Sequence, residues 1–315
     1  MSTLSVRIAR IQRESDSISR FTLESTDGAL PSFSAGSHVI LHLPTSGGEI
    51  RNAYSLIGSP FERGHYEIAV LRNPASRGGS SYLHLHACEG DLLKISPPCN
   101  WFSIHVPARR HLLIAGGIGI TPFLAYLQSR EDWVRRMELV YCVRDARELP
   151  FAEAIQASRV RVTVHESQVS GYLDIERLLA RQLLGTHVYC CGPGGLIDAV
   201  TASAEHLGWP KGTVHFERFS PAIFPSAQPF EARLARSNRK VTVPPELSLL
   251  EALERDGVDV PYSCRIGGCG TCEIAVREGS IDHRDHCWTD DERACGKRML
   301  ACISRAKNDH LILDL

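Results

Sequence analysis

The sequence has no long hydrophobic run. Its most apolar stretch, His111 to Thr121, is broken by Gly116, Gly117 and Gly119 and falls well short of a membrane span. Met1 to Arg10 alternates apolar and polar residues and lacks a signal-peptide core, so a soluble cytoplasmic protein is expected. An excess of either charge is also missing. Lys+Arg 35 against Asp+Glu 36 leaves a formal net charge of −1, which argues against broad nucleic-acid binding because no overall basic balance meets the phosphates. No repeat of solenoid length is visible. Cysteine, by contrast, is plentiful: 11 in a chain of 315 residues, an odd number in a protein too large to need disulfide staples. A reducing compartment fits that usage. Cys88, Cys99, Cys142, Cys190, Cys287 and Cys295 are expected to be structural thiols, packing as small hydrophobes.

The length implies roughly two to three domains, and composition divides the chain into three parts. Residues 1–106 read as short strands: Val6–Ile11, Ser37–Leu43 and Tyr66–Leu71 alternate with period two, and Gly and Pro punctuate the runs. That pattern predicts a small antiparallel β-barrel. In residues 107–220, strands at His111–Ala115, Met137–Val143 and Thr186–Cys191 alternate with helical segments such as Asp174–Leu184, which predicts an α/β domain with a mostly parallel sheet. Residues 221–230, with Pro221, Pro225 and Pro229, read as a linker. In residues 231–315, Glu231–Val243 reads as a hairpin. Ser248 and Glu251 then form a capping-box pattern for a short helix that stops at Gly257, and Leu311–Leu313 closes the chain as a strand.

The strongest chemical signal is Cys264-Arg-Ile-Gly-Gly-Cys269-Gly-Thr-Cys272, a C-x4-C-x2-C loop, with Cys302 downstream. This is the spacing of plant-type [2Fe–2S] ligation. Soft thiolates match iron, and Gly267, Gly268 and Gly270 allow the tight turns that bring backbone N–H groups to the cluster sulfurs. The competing reading is structural zinc. Such sites normally pair their ligands as two C-x2-C-like units, and Cys302 has no such companion. His84 and His86, and His283 and His286, form two further pairs without a complete ligand set and are assigned no function.

Two glycine-rich turns follow strands of the central part. Gly116-Gly117-Ile118-Gly119-Ile120-Thr121-Pro122 leads into a helix, where a pyrophosphate can meet backbone N–H groups. Cys191-Gly192-Pro193-Gly194 ends a later strand of the same sheet, and together the two turns predict a dinucleotide crevice. Arg144 and Asp145 follow the strand ending at Val143. An acid there accepts from ribose hydroxyls and repels a 2′-phosphate, which favours NADH over NADPH. The competing reading is a solvated charge pair. In the first part, Arg51-Asn52-Ala53-Tyr54-Ser55-Leu56 ends a strand, and Ser76-Arg77-Gly78-Gly79-Ser80-Ser81 offers donors and open backbone to a phosphate.

Taken in order, these motifs, with Tyr189-Cys190-Cys191-Gly192-Pro193 and Phe216-Glu217-Arg218-Phe219, resemble the phthalate dioxygenase reductase family over essentially the full length. The resemblance implies an antiparallel β-barrel flavin domain, an α/β parallel-sheet nucleotide domain and a C-terminal β-grasp ferredoxin domain. It implies FMN, NADH and a [2Fe–2S] cluster as cofactors. Tyr54, Ser55 and the backbone of Ala69, Val70 and Leu71 would lie along the flavin ring. Gly78, Gly79 and Ser80 would cradle its phosphate, and Phe219 would stack at its edge. Thr121, near N5 of the flavin, and Cys191 are the expected catalytic residues. Gly116, Gly117, Arg144, Asp145, Cys191, Gly192 and Pro193 would hold the nucleotide, and Cys264, Cys269, Cys272 and Cys302 the iron. One departure stands out: the family's Arg two residues before the Tyr is replaced by Asn52, and Arg51 stands one earlier. Arg51 is still an expected cofactor-binding residue by the resemblance; strand alternation, which can turn it away from the phosphate, makes Arg72 or Arg77 the alternative cation.

The implied function is electron transfer from NADH through the flavin to the cluster and on to a separate Rieske-type oxygenase, since the chain offers no oxygen-activating iron site of its own. Asn-Ala-Tyr-Ser is similar to the reductases of carnitine-type monooxygenases. The alternatives are a reductase for a cytochrome P450 or another acceptor, and a redox-sensing flavin/iron–sulfur module.

Overall fold

The computed structural model describes the chain apart from residues 1–2, 46–47, 75–77, 130–131, 211, 220–227 and 286. It divides into two compact units, Met1–Arg218 and Phe219–Leu315.

The first unit begins with a barrel. Its elements are β1 (Leu4–Arg13), β2 (Ile18–Ser25), β3 (Ser37–Thr45), β4 (Gly48–Ser55), β5 (His65–Leu71), α1 (Gly79–Leu85), β6 (Leu92–Ile95) and β7 (Cys99–Asn100). The strands run antiparallel in the order β4-β3-β6-β1-β2-β5, with β7 on β3. Period-two alternation puts Val6, Ile8, Phe21, Leu23, Val39, Leu41, Tyr66 and Ile68 inside. A single antiparallel bridge, Leu56 to Ile68, joins the two ends of the sheet, next to the hydrogen bond from Ile57 N–H to the Glu67 carbonyl at 2.9 Å. The pairing is therefore closed where the sheet would otherwise present two edges.

A parallel sheet follows, built from β8 (Arg110–Gly116), α2 (Thr121–Leu127), β9 (Met137–Val143), α3 (Ala152–Ala157), β10 (Arg161–Glu166), α4 (Ser167–Ser170), α5 (Ile175–Ala180), β11 (Thr186–Cys191), α6 (Gly194–His206) and β12 (Val214–Glu217). The strand order is β10-β9-β8-β11-β12. The chain winds outward from β8 through β9 to β10, then returns to lay β11 on the other side of β8. The switch point lies between β8 and β11, where open α/β sheets place their ligand crevice. The helix expected over Asp174–Leu184 is shorter, with Asp174 as its N-cap, accepting from Arg177 N–H at 2.9 Å.

Barrel and sheet share one core. Ile18, Ile57, Ala69 and Phe102 pack with Leu113, Ala115, Phe123, Tyr189 and Cys191. Gln128 Nε2 donates to the Ile57 carbonyl at 2.6 Å, Tyr126 donates to the Phe102 carbonyl, and the Tyr189 hydroxyl accepts from His105 N–H at 2.7 Å.

The second unit contains β13 (Phe230–Leu234), β14 (Arg239–Val243), α7 (Leu249–Arg255), β15 (Glu273–Glu278), β16 (Ile281–Asp282), α8 (Asp290–Ala294), β17 (Arg298–Leu300), β18 (Arg305–Ala306) and β19 (His310–Leu313). Its main sheet runs β14-β13-β19-β15-β17, with the β13/β14 hairpin set parallel to the last strand, as in a β-grasp. The predicted linker covers 221–230, of which 221–227 lie outside the described residues. Its last residue, Phe230, is instead the first of β13, where its ring is buried and carries the Arg305 guanidinium 5.0 Å above it. Buried Arg305 donates to the carbonyls of Leu247, Gln228 and Pro244 at 2.6, 3.0 and 3.2 Å, tying β18 to the hairpin.

Helix α7 has the full capping box. Ser248 Oγ accepts from Glu251 N–H at 3.2 Å and the Glu251 carboxylate accepts from Ser248 N–H at 2.9 Å. Leu249, Leu250 and Leu253 then face the core. No helix among the described residues is long and apolar enough to cross a membrane. Ser248→Ala removes the cap from a helix that supports the cysteine loop. The expected cost is about 1 kcal/mol, seen as a lower denaturant midpoint for the second unit with the midpoint of the first unchanged.

Candidate functional site

Four sulfurs converge in the second unit. The Cys264 and Cys269 thiols hydrogen-bond one another, as do those of Cys272 and Cys302. In each pair the accepting sulfur is held below the usual thiol range by that bond, at Cys269 to about 5, while its donor is pushed up. Backbone N–H groups also reach these sulfurs: those of Ile266 and Gly268 at Cys264, Thr271 at Cys269 and Gly267 at Cys302. An all-thiolate donor set ringed by amides suits [2Fe–2S] chemistry, in which hydrogen bonds to sulfur tune the potential. Gly267 is required on two counts. Its φ is +79°, and a Cβ there would stand 2.7 Å from Ile303 Cγ2.

Arg265 adopts φ +59° without being glycine. Its guanidinium lies 3.8 Å over the Tyr262 ring and binds both Glu254 oxygens, at 2.9 and 2.5 Å. A strained loop residue is thus clamped to α7. Of the six cysteines expected to pack as structural thiols, Cys190 is buried, Cys99 and Cys142 are half-buried, and Cys88, Cys287 and Cys295 are exposed. Cys88 and Cys295 stand just past helix ends and turn to backbone carbonyls, Cys88 to His86 at 3.7 Å and Cys295 to Asp291 at 3.4 Å.

In the barrel, β4 alternates as expected. Arg51 is exposed and its Nε donates to Glu49 at 2.8 Å, whereas Asn52 lies directly under Gly79, where a Cβ would stand 2.2 Å from Asn52 Nδ2. Asn52 in turn donates to the Tyr54 hydroxyl at 3.4 Å, and burial pushes Tyr54 up to about 12, so it keeps its proton. Gly78-Gly79-Ser80 is the first turn of α1 rather than a free loop, with Gly78 as N-cap at φ +111° and no side-chain cap. Ser80 Oγ accepts from Asn73 N–H at 3.2 Å and donates to its carbonyl at 3.4 Å. Ala69 and Val70 are buried and Leu71 is exposed at the end of β5. Arg72 is exposed, and Arg77 and Ser76 lie outside the described residues. The structure thus brings Asn52, Tyr54 and the start of α1 together and leaves Arg51 on the other face of β4.

At the switch point the two glycine-rich turns pack on one another. A Cβ on Gly119 would stand 2.2 Å from the Cys191 carbonyl oxygen and 2.6 Å from Gly192 N. A Cβ on Gly116 would likewise stand only 2.7 Å from Pro193 Cδ. These glycines are needed for turn-to-turn contact, whereas the sequence pattern explained them by approach to a pyrophosphate. Gly117, at the start of a 3-10 turn, is uncrowded. Helix α6 starts at Gly194 with Pro193 as N-cap and no side-chain cap, leaving its first N–H groups and positive dipole end for an anion. Thr121 is buried at the head of α2 and donates to the Ile118 carbonyl at 3.0 Å.

Register pairs Gly116 with Cys142, so Arg144 and Asp145 emerge beside the first turn. Asp145 is not free. Arg147 holds both of its oxygens, through Nε at 3.0 Å to each, through Nη2 at 2.5 Å and through its N–H at 2.9 Å. Those bonds keep the carboxyl below its ordinary range. Phe219 heads the second unit, partly exposed.

The sequence reading gave Glu217 no role. Parallel register sets it opposite Cys191. Its Oε2 is buried with no hydrogen-bond partner among the described residues, and burial pushes its carboxyl up to about 8. Burial also drives the Cys191 thiol well up, with Glu217 adding to the effect, so Cys191 is a neutral thiol. The available signal was an acid in period-two alternation with His215 on a strand next to the nucleotide turn.

Fold and sites together define a flavin- and pyridine-nucleotide-binding reductase unit followed by a plant-type ferredoxin unit. Residues 232–307 match the model of the 2Fe-2S iron-sulfur cluster binding domain, and residues 93–214 that of the dimethylamine monooxygenase subunit DmmA-like N-terminal domain. Among curated proteins, the carnitine monooxygenase reductase subunit of Escherichia coli is 42% identical over 98% of each chain. The heme-dependent oxidative N-demethylase beta subunit of Ectopseudomonas mendocina is 43% identical over 100% of each. Among solved structures, phthalate dioxygenase reductase, described as a modular structure for electron transfer from pyridine nucleotides to [2Fe-2S], superposes with a TM-score of 0.76. It is 36% identical over 100% of this chain and 98% of that one. An intact type IV self-sufficient cytochrome P450 monooxygenase superposes at 0.77 and 34% identity, with this chain spanning 41% of its length. The chain belongs to the phthalate dioxygenase reductase family. It is an oxidoreductase that uses a flavin, a pyridine nucleotide and a [2Fe–2S] cluster.

Gly119→Ala forces the two turns apart, and an error of about 1 Å at a reacting centre costs roughly 100-fold. Flavin reduction by the pyridine nucleotide is expected to slow on that scale in stopped flow, with the visible flavin spectrum unchanged. Glu217 keeps its proton to about pH 8 in the folded chain, against 4.5 ordinarily. The folded state therefore binds more protons across that window, and this contribution to stability is full below 4.5 and lost as pH rises through about 8. In Glu217→Gln that component of the pH dependence should vanish from denaturant melts of the first unit.

Proposed function

We propose that this chain is the NADH-dependent reductase component of an oxygenase system, with FMN as its flavin and a Rieske-type oxygenase as its electron acceptor. The observation that carries the reading is the joint presence of two sites on one chain: the paired glycine turns at a sheet switch point, and the cysteine loop with its amides turned to sulfur. A bound flavin supplies the conversion of a two-electron donor into a one-electron source.

The chain's own residues do the rest. The open start of α6 receives the pyrophosphate, with uncrowded Gly117 beside it and Gly116 packed on the turn after β11. Cys191 and Thr121, both buried, border the crevice as neutral groups, and Glu217 behind Cys191 holds its proton near neutral pH. That keeps a second negative charge from a nucleotide that is itself anionic. Asp145, two residues past β9, is the acid that would accept from the ribose hydroxyls of NADH in exchange for its contacts to Arg147. Asn52, Gly78, Gly79 and Ser80 form the cradle for the single phosphate of FMN, and Tyr54 keeps its hydroxyl to donate. Cys264, Cys269, Cys272 and Cys302 hold the cluster from which electrons leave.

A second acceptor reading is favoured by one relative, since the Ectopseudomonas mendocina protein is named as part of a heme-dependent N-demethylase. Stopped flow distinguishes the two. NADH should bleach the flavin and then the cluster, and reoxidation should accelerate with a Rieske oxygenase rather than with a heme oxygenase. A flavin left oxidised by NADH would overturn the reductase reading altogether. Cys302→Ser should abolish transfer to the oxygenase while ferricyanide, which accepts directly from flavin, is still reduced.

A further inference from the structure

The segment from His283 to Arg293 is used by none of the chemistry above. Of its histidine pair, His286 lies outside the described residues, and His283 Nδ1 stands 3.5 Å from Asp285 Oδ1. The informative residue is Asp285. Its side chain is 0% exposed, unusual for a carboxylate unless it is paired. Oδ2 accepts from Trp288 N–H at 3.2 Å and from Arg293 Nε at 3.4 Å, and Arg293 Nη2 donates to the Asp285 carbonyl at 2.8 Å. Oδ1 has no hydrogen-bond partner among the described residues.

The backbone of Asp285, whose carboxylate is buried while its partner Arg293 is partly exposed, sits directly behind the cysteine loop. Asp285 Cα lies 3.3 Å from where a Gly267 Cβ would stand, and the Gly267 N–H is the one aimed at the Cys302 sulfur. Burying a carboxylate costs several kcal/mol, and its pairing seldom repays that in full. A neutral amide would tie Trp288 equally well, so folding alone does not account for the charge. We propose that Asp285 is a positioning residue that holds a fixed negative charge behind the cluster loop and so lowers the cluster's reduction potential, with Arg293 as its opposing charge. The proposal rests on the reductase reading above. Placing one electron on a four-thiolate [2Fe–2S] centre raises its negative charge by one, with no proton taken up. A neighbouring carboxylate opposes that step, and at a buried site bulk salt screens it little. The electron comes from NADH by way of the flavin, and the lower potential strengthens its onward transfer.

The test is an EPR-monitored redox titration of the full-length holoprotein. Asp285→Asn should move the cluster midpoint to more positive potential, and Arg293→Gln to more negative potential. Opposite signs are what charge predicts; a purely structural latch would move both variants the same way or neither. An unchanged midpoint in Asp285→Asn with an intact cluster signal overturns the proposal. Should that variant not take up a cluster, Arg293→Gln decides, and a midpoint at or above wild type overturns it. A wild-type protein without a [2Fe–2S] signal would instead sink the reductase reading itself.

Discussion

The contact on which the first unit depends is between two glycine-rich turns. Gly119 meets the Cys191 carbonyl and Gly116 meets Pro193 so closely that no side chain fits between the turns after β8 and β11. Because those strands flank the sheet's switch point, this contact fixes where the crevice opens and how α2 and α6 point into it. It also brings Thr121, Cys191 and Glu217 to one end of the sheet, where burial keeps the thiol and the carboxyl protonated. Charge management at this site is thus a consequence of packing.

The second unit solves a comparable problem by other means. Its loop must turn through positive φ at Arg265, Gly267 and Gly270 while aiming amides inward. Glycine meets that demand at two of the three positions. At Arg265 the strain is offset by a stacked, bidentate clamp to Tyr262 and Glu254 on α7, and α7 is held in turn by its capping box. Local propensity, capping and loop geometry therefore agree, as expected of a sequence that specifies one fold.

Much of this was legible in the residues. Period-two runs gave the barrel, alternating strands and helices gave the parallel sheet, and Ser248 with Glu251 marked the start of α7. The cysteine spacing carried the cluster because ligation imposes a chemical pattern on a short stretch of chain. What stayed hidden depends on partners distant in sequence. Nothing local shows that Gly119 answers to Cys191, that Arg147 occupies Asp145, or that Glu217 loses its water behind β11. Gly78-Gly79-Ser80 read as an open loop because its helix is short and Gly-led. Cys88, Cys287 and Cys295 read as core residues because thiol burial is a statistical tendency, and these three are exposed.

The core shared by barrel and nucleotide sheet has a consequence for how such proteins are inherited. Ile18, Ile57 and Ala69 belong to the same packed cluster as Phe123, Tyr189 and Cys191. A recombination event that split the chain between those two folds would expose that cluster on both fragments. A break after Arg218 would leave it whole. The cassette that selection can shuffle is therefore the pair of cofactor folds together, with the ferredoxin as the interchangeable piece.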